Sequence, residues 1–191
     1  MIYELIYDGH LGGCVKGGDS DTWDANIWNI LITKYNIKSI IDVGCGEGWS
    51  TDFFKQQGLD VIGIEGSQKV IDSSPYKDLL IRHDYTDGSF IPTKSYDAIW
   101  SCEFVEHVEE QYVDNFLETF KNVNYIFMTY SEPQWSTGGY HHVNCQNQEY
   151  WNTKLDSIGF KFDEETSKEL RKISTATWIK PTLSIYYKNN L

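Results

Sequence analysis

A short apolar run, Ile40-Ile41-Asp42-Val43, stops at three glycines spaced two apart, Gly44, Gly46 and Gly48. Trp49, Phe53 and Phe54 then recur at helical spacing as far as Gln57. Buried strand, glycine turn and helix in that order form the opening half of a βαβ unit. Glycine admits positive φ and lets the backbone approach a ligand with no Cβ in the way. The helix that follows presents its free N–H groups to that ligand, which favours a carboxylate or phosphate group there.

The dinucleotide fingerprint G-x-G-x-x-G would need glycine at position 49, where this chain has Trp49. The pattern present is D-x-G-x-G-x-G, from Asp42 to Gly48. Val61-Ile62-Gly63-Ile64-Glu65-Gly66-Ser67 reads as a second strand ending in an acid, and Arg82-His83-Asp84-Tyr85 as the end of a third. Ser95-Tyr96-Asp97-Ala98-Ile99-Trp100-Ser101 leads into Cys102-Glu103-Phe104-Val105-Glu106-His107-Val108. These four segments, in this order over about residues 38–160, resemble the motifs of the class I S-adenosylmethionine (SAM) dependent methyltransferases.

Strands and helices alternate through the chain. Runs at 60–64, 79–82, 96–100 and 125–128 read as strands, and 49–57, 103–121 and 148–158 as helices. A helix over 22–35, capped by Asp21, is expected beside the first strand, with Trp23, Ile27, Ile30 and Leu31 on one face. Trp28 falls off that face. The expected fold class is α/β: a doubly wound, mostly parallel sheet. Strands at 160–162 and 182–187 fit the antiparallel hairpin that closes the family's seven-stranded sheet. Ligands of such sheets bind beyond the carboxyl ends of the strands, where strand order reverses. The long loop 131–147, with Gly138, Gly139 and His141-His142, lies at that end.

Length, 191 residues, is a prior for one domain. Residues 1–21 hold two Gly-Gly pairs, so they read either as a mobile tail or as a lid over the cofactor, with 22–191 as the domain proper. The net charge of −12 disfavours a bulk nucleic-acid partner, since such a surface repels phosphate backbones. Cys14, Cys45, Cys102 and Cys145 form no C-x-x-C pair, the usage of a reducing compartment. There is no basic apolar leader and no membrane-length apolar run, so a cytoplasmic protein is expected. Aromatics reach 15%, more than a core of this size needs, and Trp135, Tyr140, Tyr150 and Trp151 are candidates to wall a pocket.

The resemblance assigns SAM as cofactor. It places Asp42, Gly44, Cys45, Gly46, Glu65, Gly66, Asp84, Tyr85 and Ser101 around it. Glu65, 21 residues after Gly44, would take the ribose hydroxyls. Asp84 would accept from the adenine amino group, with Tyr85 against the ring. Asp42 is expected to order the glycine turn by accepting backbone N–H bonds. Glu103, Glu106 and His107 would share about 100° of arc on a helix 103–121, opposite its apolar stripe. That face is a solvent side or a site. Glu-x-x-Glu-His here is similar to metal-dependent O-methyltransferases of ubiquinone synthesis and of small RNAs. In them two acids, this His and a later His, here His141 or His142, hold a divalent ion. The resemblance thus implies magnesium or manganese on Glu103, Glu106, His107 and His142. The alternative is His107 or His142 as a general base. The Asn/Asp-Pro-Pro-aromatic motif of many N-methyltransferases is replaced by Ser101-Cys102-Glu103-Phe104. A small hydroxylated acceptor is the expectation; a SAM-binding regulatory or scaffold domain is the other class.

Overall fold

The computed structural model describes residues 4–189. Two short strands, β1 (Leu5–Tyr7) and β2 (Gly13–Val15), pair antiparallel at the start. The paired glycines read as loop; in the structure a 3₁₀ turn over Gly9–Leu11 and Gly12 (φ +80°) reverse the chain, and Gly13 already pairs with Tyr7 in the hairpin. Helix α1 (Ala25–Lys34) follows, capped by Asp24 and not by Asp21: the Asp24 carboxylate accepts from Ile27 N. Asp24 also takes Ser174 Oγ and Thr175 N, a long-range anchor that local pattern does not reveal. The cap shift leaves Trp23 outside the helix. It also turns Trp28 inward, against Phe53, Phe54 and Trp100.

Strand β3 (Ser39–Val43) leads through the glycine turn into α2 (Trp49–Gln56), β4 (Asp60–Glu65), α3 (Gln68–Ser73) and β5 (Leu80–Arg82). Next come β6 (Ala98–Ser101), α4 (Val113–Phe120), β7 (Tyr125–Met128) and α5 (Gln148–Ser157). The chain ends with β8 (Phe160–Phe162), α6 (Glu164–Ile173) and β9 (Ser184–Lys188). The seven-stranded sheet runs β5-β4-β3-β6-β7-β9-β8. Only β9 is antiparallel to its neighbours β7 and β8. The continuous apolar runs of β3, β6 and β7 are buried on both faces, as a covered parallel sheet requires. One layer is built by Phe116, Phe120, Trp151 and Leu155, the other by Ile27, Trp28, Leu31 and Leu170. No helix among the described residues is long and apolar enough to cross a membrane.

Strand order reverses at β3, between β4 and β6. The carboxyl edges of these strands face the β1–β2 hairpin and the 131–147 loop, and the functional residues gather there.

Candidate active site

The glycine turn is built from both sides of the sheet edge. Gly44 N and Cys45 N donate to Ile64 O at 2.9 and 3.1 Å, which ties the turn to β4. Gly44 has φ +72°, and a Cβ there would lie 2.6 Å from Phe104, so no side chain fits. Asp42 is buried, and its Oδ2 accepts from Ser50 Oγ (2.6 Å) and Thr51 Oγ1 (2.7 Å). The expected backbone donors are thus replaced by hydroxyls from the first turn of α2. Burial pushes its pKa up to about 6, against the pull of those hydroxyls.

Glu65 closes β4 beneath the turn. Its two oxygens accept from Gly46 N (3.0 Å) and Ser67 N (2.8 Å). Burial raises its pKa; the backbone donors oppose the rise. Glu47, an unassigned position of the motif in the sequence reading, turns out to be a structural centre. It accepts from Gly17 N (2.6 Å), Trp49 Nε1 (3.3 Å) and Ser73 Oγ (2.8 Å). Its only sequence signal was an acid between two glycines. Asp84 caps the turn after β5 through Thr86 N and Oγ1, both at 2.8 Å, and accepts from His10 Nε2 at 2.8 Å. Burial pushes the Asp84 carboxyl up, but these donors outweigh it and hold the pKa below the ordinary value. Tyr85 is largely core: its ring packs on His83, Phe104 and Phe116, and its hydroxyl meets Thr119 Oγ1 at 3.1 Å. Ser101, at the end of β6, is fully buried, and its hydroxyl has no partner among the described residues.

The expected helix 103–121 is replaced by something different. Glu103 has φ +49°, 3₁₀ turns follow at Val105–His107 and Glu110–Tyr112, and only Val113–Phe120 is α-helical. In an α-helix Glu106 O would accept from residue 110. Here it accepts from Val143 N and Asn144 N, both at 3.0 Å, so the 131–147 loop takes the place of the helical ladder. The solvent face therefore does not exist: Glu106 is 0% exposed. Neither of its carboxyl oxygens meets an N–H or hydroxyl donor among the described residues; its polar neighbour is the Glu103 carboxyl, acid against acid. Burial, then the neighbouring Glu103 charge, pushes its pKa well up.

His107 Nδ1 lies 3.2 Å from His141 O, which places the donor proton on Nδ1 and leaves the Nε2 lone pair free. Burial, then the nearby His142, lowers its pKa to about 4, so the ring is neutral at pH 7. Ligand-capable atoms of Glu106, His107 and His142 lie within 4.8 Å of one another. Glu103, the fourth expected ligand, stands outside this group; its Oε1 accepts from Thr129 Oγ1 at 2.8 Å. His141 turns away, its Nε2 4.0 Å from Glu109. A Cβ on Gly12 would come 3.0 Å from His107 Nδ1, and one on Gly139 would lie 2.1 Å from His142 Nε2. Hairpin and loop thus close on the two rings through glycine.

A cavity of about 1190 Å³ runs from the glycine turn to His107 and His142, with Glu106 and Ser101 behind its wall. Trp135 and Tyr140 line it; Tyr150 and Trp151, also expected there, do not. Trp151 is core, and Tyr150 packs edge-on against it. Trp23, Trp49 and Trp178 complete the aromatic wall.

Residues 41–124 match the family described as "Methyltransferase domain". A ubiquinone biosynthesis O-methyltransferase from Pelagibacter ubique is 33% identical over 88 residues, 44% of this chain and 35% of that protein. The chain thus aligns with about a third of that relative's length. A TehB-like SAM-dependent methyltransferase from Corynebacterium glutamicum superposes with TM-score 0.65 at 15% identity, covering 90% of each chain. The methyltransferase domain of bacterial CtHen1-C gives 0.58 at 18% identity, over 85% of this chain and 96% of that one. The plantazolicin methyltransferase BpumL, solved with SAH, gives 0.60 at 16%, over 86% and 80%. Strand order, antiparallel closing strand and glycine turn are those of a Rossmann-like methyltransferase fold. By the match over 41–124, that stretch is similar to the methyltransferase domain family, and the fold around it is the one that SAM-dependent methyltransferases adopt.

Proposed function

We propose that this protein binds SAM at the β3–β4 edge and transfers its methyl group to a hydroxyl of a small acceptor, assisted by a divalent cation. The carrying observation is Glu106: a carboxyl 0% exposed, with no donor among the described residues beyond the neighbouring Glu103 carboxyl, beside two imidazoles. A buried carboxylate in that state is costly unless a cation compensates it. One carboxylate and two imidazole nitrogens suit magnesium, manganese or iron. Glu106, His107 and His142 are the residues that would hold the ion, with Glu103 behind them. Such an ion lowers the pKa of a coordinated hydroxyl.

The cofactor fits on equally local grounds. Backbone at Gly44, Gly46 and Gly66 is bare of Cβ, α2 presents its N-terminus, and Glu65 stands between them. Asp84 and Tyr85 would border the adenine. At about 1190 Å³ the cavity exceeds the roughly 300–1,000 Å³ of a single-ligand pocket, leaving room for an acceptor beside the cofactor. Methyl transfer is an in-line displacement at the sulfonium: the C–O bond forms as the C–S bond breaks, and the hydroxyl proton must leave. This chain's residues align the two partners, which alone can contribute ~7–11 kcal/mol. Holding an ion would occupy the lone pairs of His107 and His142, so that proton would leave to solvent; in the metal-free alternative the two neutral rings stand where it can be taken. The free thiols of all four cysteines favour a cytoplasmic setting. Incubation with methyl-labelled SAM and a panel of catechols and sugars should label acceptor in the presence of magnesium or manganese and cease with chelator. Labelling that chelator leaves untouched would remove the cation and leave the His pair as base.

The described part of the N-terminal arm, residues 4–21, acts in this proposal as a lid. His10 reaches Asp84, Asp8 reaches Ser67, Gly17 reaches Glu47, and Leu11 covers Gly66. Since these partners border the cofactor site, ligand entry requires the hairpin to open. Amides of residues 5–18 should exchange more slowly with SAH than without it. Equal exchange in both states would make the hairpin a fixed part of the domain.

A further inference from the structure

The loop 131–147 takes its left-handed turn at a histidine rather than at a glycine. His141 has φ +56°, while Gly138 and Gly139 just before it stay outside the left-handed region. Glycine would adopt that conformation at no steric cost; a residue with a Cβ keeps it where its surroundings fix it. Here the surroundings are His107. His141 Nδ1 lies 3.2 Å from His107 O, and His107 Nδ1 lies 3.2 Å from His141 O. Each ring thus reaches the backbone of the other residue. A carbonyl oxygen only accepts, so both Nδ1 atoms carry the proton and both Nε2 atoms keep a lone pair.

The exchange stands where the helical ladder is missing. In an α-helix the carbonyls of residues 106 and 107 would accept from residues 110 and 111. Glu106 O instead accepts from Val143 N and Asn144 N, both at 3.0 Å. Those are backbone donors, present whatever the side chains are. His107 O instead accepts from the His141 ring, and that bond depends on which residue stands at 141. The same edge of the His107 ring is backed by Gly12, where a Cβ would come 3.0 Å from Nδ1. The Nδ1 edge is thus enclosed, and Nε2 is the nitrogen left for a ligand. His142 has no return bond of this kind: its Nδ1 lies 3.4 Å from both Ser131 Oγ and Trp135 O.

We propose that His141 is a positioning residue: its ring and its carbonyl clamp His107 in the Nδ1–H tautomer, so that the Nε2 lone pair is the one offered to the ion. His141 itself touches no reacting atom. The inference rests on the ion reading for what Nε2 meets, but the clamp can be read without it. His141→Gly removes the ring and keeps the turn, since glycine adopts positive φ freely; the backbone bonds to Glu106 O remain, so the variant should fold. His141→Asn restores a donor, because its Nδ2 stands where the histidine Nδ1 stood and Asn tolerates the left-handed region. The ion probe is manganese without SAM, read on the full chain as the calorimetric heat that Glu106→Gln abolishes. The Gly variant should bind manganese about tenfold more weakly than wild type, and the Asn variant close to wild type. Two-bond nitrogen–proton NMR at neutral pH should show His107 protonated at Nδ1 in wild type and in the Asn variant, and a mixture of tautomers in the Gly variant. SAH affinity should be the same in all three. A single Nδ1–H tautomer in the Gly variant overturns the inference, whatever its manganese affinity. An Asn variant as weak for manganese as the Gly variant also overturns it, and makes the His141 ring itself a ligand. Mixed tautomers confined to the Gly variant, with no manganese binding by wild type, would leave the clamp standing and overturn the ion reading instead.

Discussion

Glu106→Gln should abolish methyl transfer while leaving cofactor affinity where it was. The substitution keeps the volume of a fully buried side chain and removes its charge, so lost packing cannot account for the result. Turnover should fall roughly 100-fold or more, since loss of even an outer partner of a metal site costs roughly 10–100-fold. Chelation of the wild-type protein should reproduce the effect. Stability should move the other way. With no cation present, a buried carboxyl set against the Glu103 carboxyl is a burden, so the Gln variant should melt at or above the metal-free wild type. A variant that keeps its turnover would separate Glu106 from the chemistry. A variant that melts far lower would make Glu106 a structural residue with a partner not yet identified.

Glu65→Ala should weaken SAM by ~1.5–3 kcal/mol, the scale of hydrogen bonds to a charged group. That is roughly ten- to hundredfold in affinity. Two effects combine. The ribose would lose its acceptor, and Gly46 N and Ser67 N would lose the carboxylate that orders the turn. Glu65→Gln separates them: an amide can still accept once, so its loss should be smaller. The measurement is calorimetry with SAM and SAH. An affinity equal to wild type in the Ala variant would leave Glu65 as a brace of the turn alone.

Local pattern made the first half of the domain readable. A buried strand running into alternate glycines leaves few options, and β3, α2, β4 and the acid at Glu65 stand where the pattern put them. The antiparallel β9 was legible through the resemblance alone, since periodicity does not specify strand direction. Segment 103–112 was misread because its apolar residues keep helical spacing although the backbone is not helical. What breaks the helix is distant: Val143 and Asn144 occupy the Glu106 carbonyl, and Thr129 holds Glu103 in a left-handed conformation. Asp24 was missed as a cap for a similar reason, since two of its carboxylate's three partners lie near residue 175. The gathering of Glu106, His107 and His142 required both the irregular segment and the loop. Glu103 was grouped with them by a helical arc that the chain does not adopt and by the resemblance; in the structure its Oε1 is taken by Thr129.

The central claim is that the glycine turn serves SAM and not a dinucleotide. Titration calorimetry of the full chain with SAM, SAH and NAD tests it most directly. Trp49 stands where a dinucleotide turn needs glycine, and its indole is fixed by Glu47 and the face of Gly18. SAM and SAH should bind with one-to-one stoichiometry, and NAD should give no heat. Tight binding of NAD with none of SAM or SAH would contradict the account.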